Sequence, residues 1–509
     1  MAGVRTRGIR ARCGRHAAAR RARRGESRAV VPHARYSLVA VVGLPPGTGD
    51  VEFARRRGRR ASRCRPSQRR RPSHRAVRRS GAPRAVNRRT LDDWLARLER
   101  QHPRAIDLGL ERVREVEQRM GLGKPAACVI TVGGTNGKGS TVAFVEAIAR
   151  ASGLRVGAYT SPHLLAYNER VRIDGRDVGD AELVEAFEAV EAARGDTSLT
   201  YFEHGTLAAL WLFERADLDL AVLEVGLGGR LDAVNIVDAD VAVVTTVDID
   251  HTDWLGEDRE AIGFEKAGIA RAWTPLVLGE DDPPASVLRH AYAIGASAIR
   301  ANCDFLFDTI DDTHWRWREP GFELALPMPR LAAPAQVRNA ATAIAALRAS
   351  DLAIADDAWT RGVAAANVPG RLQVFERDGI KIVVDVAHNP QAAGELAAWL
   401  AAHPPSGRAF AVFAALADKD VAGIVARLAA RVDRWWIAGL EDAGPRGQGV
   451  DALAAMLADT AASTAIRNRD VAAALAAARA QARPGDRVLV FGSFHTAAAA
   501  LRALDASGS

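Results

Sequence analysis

Four cysteines in 509 residues, at positions 13, 64, 128 and 303, are too far apart to form any CxxC pair. That spacing excludes a thiolate zinc site and a disulfide framework, and it fits a reducing, cytoplasmic setting. Aromatic residues make up only 6% of the chain, and methionine occurs at 1, 120, 328 and 456 alone. No hydrophobic run is long enough to span a membrane; "YSLVAVVGL" (36–44) is too short and lacks a signal peptide's layout. Lysine is missing from the first 89 residues, which hold 27 Arg against three acids, a net of +24. The rest carries 42 bases and 58 acids, so the overall +8 conceals a body of net −16. Residues 1–88 have too much like charge and too few aromatics to collapse, and they read as a disordered Arg-rich leader. The expectation is an upstream extension with no folded role, a native start near Val86 then needing a non-ATG codon. A targeting or nucleic-acid-binding arm is the rival reading.

From residue 89 the pattern changes. Thr90 stands as an N-cap before Asp92 and Asp93 in "TLDDWLARLER". Short apolar runs such as "ACVITV", "LDLAVLEV" and "ADVAVVTTV" then alternate with helical segments, the mark of a parallel sheet covered on both faces. After "NVPGR" (367–371) the alternation restarts with "IKIVVDVA", "AFAVFAAL", "RWWIAGL" and "RVLVFG". This predicts an α/β protein with a larger parallel-sheet domain over 89–368 and a smaller Rossmann-like domain over 369–509.

"GGTNGKGS" (133–140) follows an apolar strand and opens a helix. Its glycines let backbone N–H groups converge at the positive end of that helix, where Lys138 reaches a terminal phosphate and the Ser140 hydroxyl a phosphate or metal. Gly139 stands where the usual P-loop hydroxyl follows the lysine, so the strict pattern fails. Glu224 ends one apolar strand and His251 follows the next, which sets both at carboxyl ends of neighbouring strands, where open α/β sheets bind ligands. Carboxylate plus imidazole without thiolate suits Mg²⁺ or Mn²⁺ better than zinc. By sequence alone Lys266, beside Glu265, reads as a helix-surface lysine.

"GTNGKGS" resembles the phosphate loop of the folylpolyglutamate synthase and dihydrofolate synthase family, relatives of the muramyl-peptide ligases, whose loops carry the hydroxyl directly after lysine. "YTSPHLLAYNERVRIDG" (159–175), "LEVGLGGRLDAVN" (223–235), "DHTDWLG" (250–256), "FEKAGI" (264–269), "RNAAT" (338–342), "PGRLQV" (369–374), "DVAHNP" (385–390) and "VFGSFHT" (490–496) resemble the family's motifs in order. The resemblance implies ATP contacts at Thr135, Asn136, Gly137, Lys138, Gly139, Ser140, Asn339, Arg371 and Asp385. It implies metal ligands at Ser161, Glu224 and His251, with Mg²⁺ (two ions, Mn²⁺ as substitute), and a carbamylated Lys266 that helps hold the second ion. Lys138, Lys266 and His388 are the expected catalytic residues, and His388 with Ser493 the holders of L-glutamate. "IDLGLERV" (106–113) marks members that also make dihydrofolate, so Asp107, Leu108, Gly109, Thr200, Tyr201, Phe202, Glu203, Leu231, Asp232 and Ala233 are expected around the pterin. His204 replaces the Phe or Tyr expected beside them.

The implied activity is ATP-dependent addition of L-glutamate to dihydropteroate, then of further glutamates to tetrahydrofolate or its polyglutamates, through an acyl phosphate. A monomer with no membrane or nucleic-acid partner is expected. The open alternatives are a folylpolyglutamate synthase alone, a muramyl-type ligase, and a nucleic-acid-binding protein acting through the leader.

Overall fold

The computed structural model describes residues 89–104, 106–330 and 333–506, so the expectation for the leader lies outside the described residues. Eight strands form the larger sheet: β1 (Cys128–Gly133), β2 (Val156–Tyr159), β3 (Val171–Ile173), β4 (Arg176–Asp177), β5 (Leu220–Glu224), β6 (Val241–Val244), β7 (Pro275–Leu278) and β8 (Ser297–Arg300). Their order is β4-β3-β2-β5-β1-β6-β7-β8. Six run parallel, and β3 and β4 add an antiparallel edge.

The near-continuous apolar strands follow from burial on both faces. Val129, Ala221, Leu223, Ala242 and Val244 enter one core, while Ile130, Val132, Leu220, Val222, Val241 and Val243 enter the other. Successive side chains point to opposite faces, so one strand feeds two cores. Thr90 caps the helix Leu91–Gln101 as expected, in a reciprocal box with Asp93.

Three short antiparallel strands, β9 (Leu306–Thr309), β10 (His314–Glu319) and β11 (Phe322–Pro327), were not expected from the sequence. They bring Trp315, Trp317 and Leu326 into the second core. A six-stranded sheet follows: β12 (Gln373–Arg377), β13 (Ile380–Val384), β14 (Ala409–Phe413), β15 (Arg434–Ala438), β16 (Ile466–Asn468) and β17 (Arg487–Phe491), in the order β12-β13-β17-β14-β15-β16. Only β12 runs antiparallel in it. The expected α/β class is borne out. Among the described residues no helix is long and apolar enough to cross a membrane.

One expectation needs correcting. β5 and β6 follow each other along this part of the chain, but they are not neighbours, because β1 pairs with both. The chain leaves β1 for β2 on one side and later passes from β5 across to β6 on the other. β1 is therefore the switch point of the sheet, and the loop after it opens the crevice where such sheets bind ligands.

Candidate active site

The phosphate loop leaves the end of β1 and enters the helix Lys138–Ala151. Two of its glycines are required by geometry. Gly134 has φ +141° and a Cβ there would overlap Thr245 Oγ1, while Gly137 has φ +86° and a Cβ there would strike the Asn339 amide. Thr135 fixes the loop to the segment after β6: its N–H donates to the Thr246 carbonyl (2.7 Å), and its hydroxyl donates to the Asp248 carbonyl (3.1 Å). Lys138 Nζ folds back onto the carbonyls of Gly134 (3.0 Å) and Thr135 (3.2 Å). Burial lowers its pKa against the raising effect of Glu224 and Asp250.

Glu224, at the end of β5, flanks the loop closely enough that a Cβ on Gly139 would lie 3.5 Å from its carboxylate. It accepts one hydrogen bond, from Ser161 N–H at 3.0 Å, and burial raises its pKa despite Lys138. On the other side of β1, His251 sits in a left-handed conformation (φ 53°), a backbone that a non-glycine residue holds only under constraint. Burial lowers its pKa to about 4, leaving a neutral imidazole with a lone pair to offer. Among the described residues no three His, Cys, Asp or Glu side chains converge as a ready-made metal cluster. A buried carboxylate with one donor, a neutral imidazole and a hydroxyl fit instead a hard cation that completes its shell with phosphate oxygens and water.

Lys266 is not on the surface. It is 3% exposed, on the inner face of the helix Arg259–Ala267, and burial with the nearby Lys138 charge lowers its pKa to about 7. Asp232 is equally buried; it accepts from Leu227 N–H (2.8 Å) and Val234 N–H (3.1 Å), yet burial raises its pKa to about 7.

One cleft of about 730 Å³ gathers most of the expected residues. Thr135, Asn136, Gly137, Lys138 and Gly139 line it with Ser161, Glu224, His251 and Lys266. Asp107, Leu108, Gly109, Thr200, Tyr201, Phe202, Glu203, Leu231, Asp232 and Ala233 line it too, as do Arg371, His388 and Ser493 from the second sheet's side. Ser140, Asn339 and Asp385 stand behind its wall. Ser140 Oγ accepts from Gln336 Nε2 (3.3 Å), whose Oε1 takes the Asn339 amide (3.1 Å). Asp385 accepts from Leu372 N–H (2.8 Å) and Ala387 N–H (2.7 Å) and faces the buried Arg371. His204 is also absent from the cleft, fully buried between Trp94 and Phe187. Its departure from the expected aromatic therefore touches the core and leaves the pocket lining unchanged.

Sequence reasoning missed a set of contacts that tie the two sheets together. Asn136 and Asn389 exchange reciprocal amide bonds (3.2 and 3.1 Å). Asp250 takes Lys419 at 2.8 Å, His388 at 3.5 Å and the Asn389 amide at 3.3 Å. Burial alone would raise the Asp250 pKa, but His388, His251 and Lys419 hold it well below the usual carboxylate range. Only the "DKD" triplet (418–420) signals Lys419, and charged triplets usually mark solvated loops.

With this geometry in place, comparison with known proteins is decisive. The Mur ligase middle domain family matches residues 132–347, and the Mur ligase glutamate ligase domain family matches 370–494. The Escherichia coli (strain K12) dihydrofolate synthase/folylpolyglutamate synthase is 48% identical over 420 residues, covering 82% of this chain and 96% of its own. The chain belongs to this folate branch of the Mur ligases. Two solved members agree in fold. Escherichia coli FolC in complex with DHPP and ADP has a TM-score of 0.78 and 47% identity, covering 84% of this chain and 100% of its own. A bifunctional folylpolyglutamate synthase/dihydrofolate synthase with Mn, AMPPNP and L-glutamate bound has a TM-score of 0.76 and 48% identity, over 83% and 99%. The family expected from the phosphate loop and its accompanying motifs is thus the observed one.

Proposed function

We propose that this chain joins L-glutamate to dihydropteroate, and to reduced folates already carrying glutamate, at the expense of ATP. The observation that carries the reading is the meeting of Lys138, Glu224, His251 and Lys266 in one cleft with Arg371, His388 and Ser493 from the second sheet. In the relatives, ADP or AMPPNP, Mn, DHPP and L-glutamate are the bound molecules.

The substrate carboxylate attacks the γ-phosphorus, the bond to ADP breaks, and an acyl phosphate forms. The loop amides and Lys138 hold the triphosphate and offset the charge that builds up on it. Ser161, Glu224 and His251 would hold Mg²⁺ or Mn²⁺, which supplies further positive charge against the phosphates. The amine of L-glutamate, held by His388 and Ser493, then attacks the acyl carbonyl. The carbon–oxygen bond to phosphate breaks, the amine loses a proton, and an amide remains. Asp107, Thr200, Phe202 and Asp232 hold the pterin, and the carboxyl of Asp232, poised near neutrality, suits a partner for pterin ring N–H groups. Residues 89–368 form the ATP domain and 369–509 the glutamate-ligase domain, whose closure shields the acyl phosphate from water. The working unit is a cytoplasmic monomer.

Lys266 is proposed to carry a carbamate. Its amine, uncharged in a good fraction of molecules near neutral pH, attacks CO₂; an N–C bond forms, a proton leaves, and the resulting anion serves a second cation. A ¹³C carbamate resonance that appears with labelled bicarbonate, and is lost in Lys266→Arg, is the expected result. Its absence in fully active protein would remove the carbamate.

The test of the activity is ADP release with dihydropteroate and L-glutamate, each omitted in turn, then with tetrahydrofolate. Release should need all components in both series; turnover without glutamate would defeat the ligase reading.

A further inference from the structure

One wall of the cleft has no role in the chemistry above. It is built from His163 and Arg170, which follow β2, and from Arg446, His495 and Arg502, which belong to the second sheet's side; all five line the cleft. Arg170 is buried deep, with its guanidinium over the rings of Tyr167 (5.3 Å) and Tyr201 (5.5 Å). His163 Nδ1 accepts from Arg170 Nε at 2.8 Å, which leaves its Nε2 as the N–H donor. Arg446, His495 and Arg502 are exposed at the mouth. His495 lies close enough to Arg446 and Arg502 that burial and their charges hold its imidazole below the usual histidine range, so it too is a neutral donor.

Little on this wall neutralises them. The nearby Glu169 is committed to the backbone N–H groups of Leu164, Leu165 and Ala166. Asp418 lies 3.5 Å from Arg446 but is shared with Lys419, and Asp442 is the one acid on this stretch of the lining. The wall is also separate from the phosphate machinery, since the strongest charges acting on Lys138 are Glu224, Asp250, Arg371 and Asp232. It therefore presents a run of hydrogen-bond donors, three guanidinium cations and two imidazoles, from the aromatic interior beside Tyr201 out to solvent.

A substrate of the proposed reaction has a property that matches this run. Each cycle adds a γ-linked glutamate and leaves one more free α-carboxylate. The newest terminus must return to Lys138 for the next activation, so the segment between it and the pteroyl group lengthens every time. A site of fixed length must let that segment lead outward while its α-carboxylates find partners. We propose that the wall of His163, Arg170, Arg446, His495 and Arg502 is a subsite for the α-carboxylates of the γ-glutamyl chain on the acceptor folate. The assignment rests on the ligase activity proposed above. Arg170 and His163 take the carboxylate nearest the interior, and Arg446, His495 and Arg502 those of longer chains, so affinity for the acceptor rises with chain length.

The test uses the full chain with Arg446→Ala, Arg502→Ala, the double variant and Arg502→Lys. KM is measured for tetrahydropteroyl mono- and triglutamate, for L-glutamate and for ATP. Each alanine should raise KM for the triglutamate about three- to fivefold, the scale of an exposed charge pair. The effect should be larger for the triglutamate than for the monoglutamate, Arg502→Lys should restore most of it, and added salt should shrink the wild type's preference for the longer chain. Equal KM changes for mono- and triglutamate would overturn the proposal. So would a rise in KM for L-glutamate that is the same with every acceptor, which would make the wall the incoming amino acid's site. A wild-type protein that adds glutamate to neither acceptor would fail the activity itself, a result distinguishable from all of these.

Discussion

The rims of the two sheets face one cleft but differ in how far their polar groups are already partnered. Around β1 of the larger sheet the ionisable groups are left poorly matched. Burial lowers the pKa of Lys138 and Lys266, and raises that of Glu224 and Asp232. On the smaller sheet more of the polar groups already have partners, although burial still raises the pKa of Asp385 and lowers that of Arg371. Asp385 has two backbone donors and Arg371 opposite it, Ser493 and Thr496 bond side chain to side chain at 2.7 Å, and Asn389 caps its own helix through Ala392 N–H. Mismatch is costly in a folded protein, so a rim that keeps it is prepared for a charged ligand to complete it. A rim that is already better partnered positions and closes. Asp250 confirms the division, because its unusually stable carboxylate owes Lys419 and His388 to the opposite rim.

The sharpest way to break this comparison is to remove the central cation. Lys138→Met should lower ADP release by about 10³-fold or more, on the scale of losing a preorganised charge at a reacting phosphate. Ser493→Ala on the better-partnered rim should cost far less and act mainly on KM for L-glutamate. Equal losses in the two variants would erase the distinction.

Glu224→Gln separates function from stability. Activity should fall about 10²-fold, while the metal-free protein becomes more stable. The acid's pKa is raised in the fold above its ordinary 4.5. The unfolded chain thus sheds its proton first as pH rises, and wild type loses stability above that value. Thermal melts in EDTA should put the variant above wild type at pH 8 and level with it below about pH 4. Saturating Mg²⁺ should narrow the gap at pH 8.

Asp250→Asn tests the bridge. Removing one partner of a buried ion pair leaves Lys419 with only the more distant Asp418 at 3.6 Å, at a cost of up to about 3 kcal/mol in urea unfolding. Adding Lys419→Met should recover part of that loss, a coupling that a double-mutant cycle measures directly.

How much of this was legible in the sequence depends on which interactions decide each feature. Strands that feed two cores are apolar at every position, so β1, β5 and β6 declared themselves. So did the phosphate loop, whose glycines answer to local backbone geometry. The placement of β1 between β5 and β6 was hidden, since strand order is set by how helices cross the sheet. The burial of Lys266 was hidden by its charge, although Ile262, Gly263, Lys266 and Ala267 repeat at the spacing of one buried helix face. Trp315 and Trp317, alternating with charged residues in β10, likewise carry the two-residue period of a half-buried strand, masked by the arginines between and after them. Lys419 has only the weak signal of its charged triplet, because its partner lies 169 residues away.

His204 gives the smallest and most discriminating effect. It is a buried ionisable group like those of the first rim, but it lies in the core and does not line the cleft described above. Neither ring nitrogen has a hydrogen-bond partner; the Phe187 backbone approaches without the alignment of a bond. Burial lowers its pKa to about 4, against the influence of Glu191. Between pH 6.5 and pH 4 the unfolded chain therefore binds a proton that the folded one refuses, and stability falls as the medium is acidified. The loss amounts to about 2 kcal/mol at pH 5 relative to pH 8. His204→Phe should abolish that slope and, by removing two unpartnered polar atoms, add stability at pH 8 as well. Unlike Glu224→Gln it should leave KM for the pterin substrate within about twofold, since the side chain faces Trp94 and Phe187. A large rise in that KM would mean that core and cleft share the group after all, and burial alone would no longer separate the two kinds of misfit.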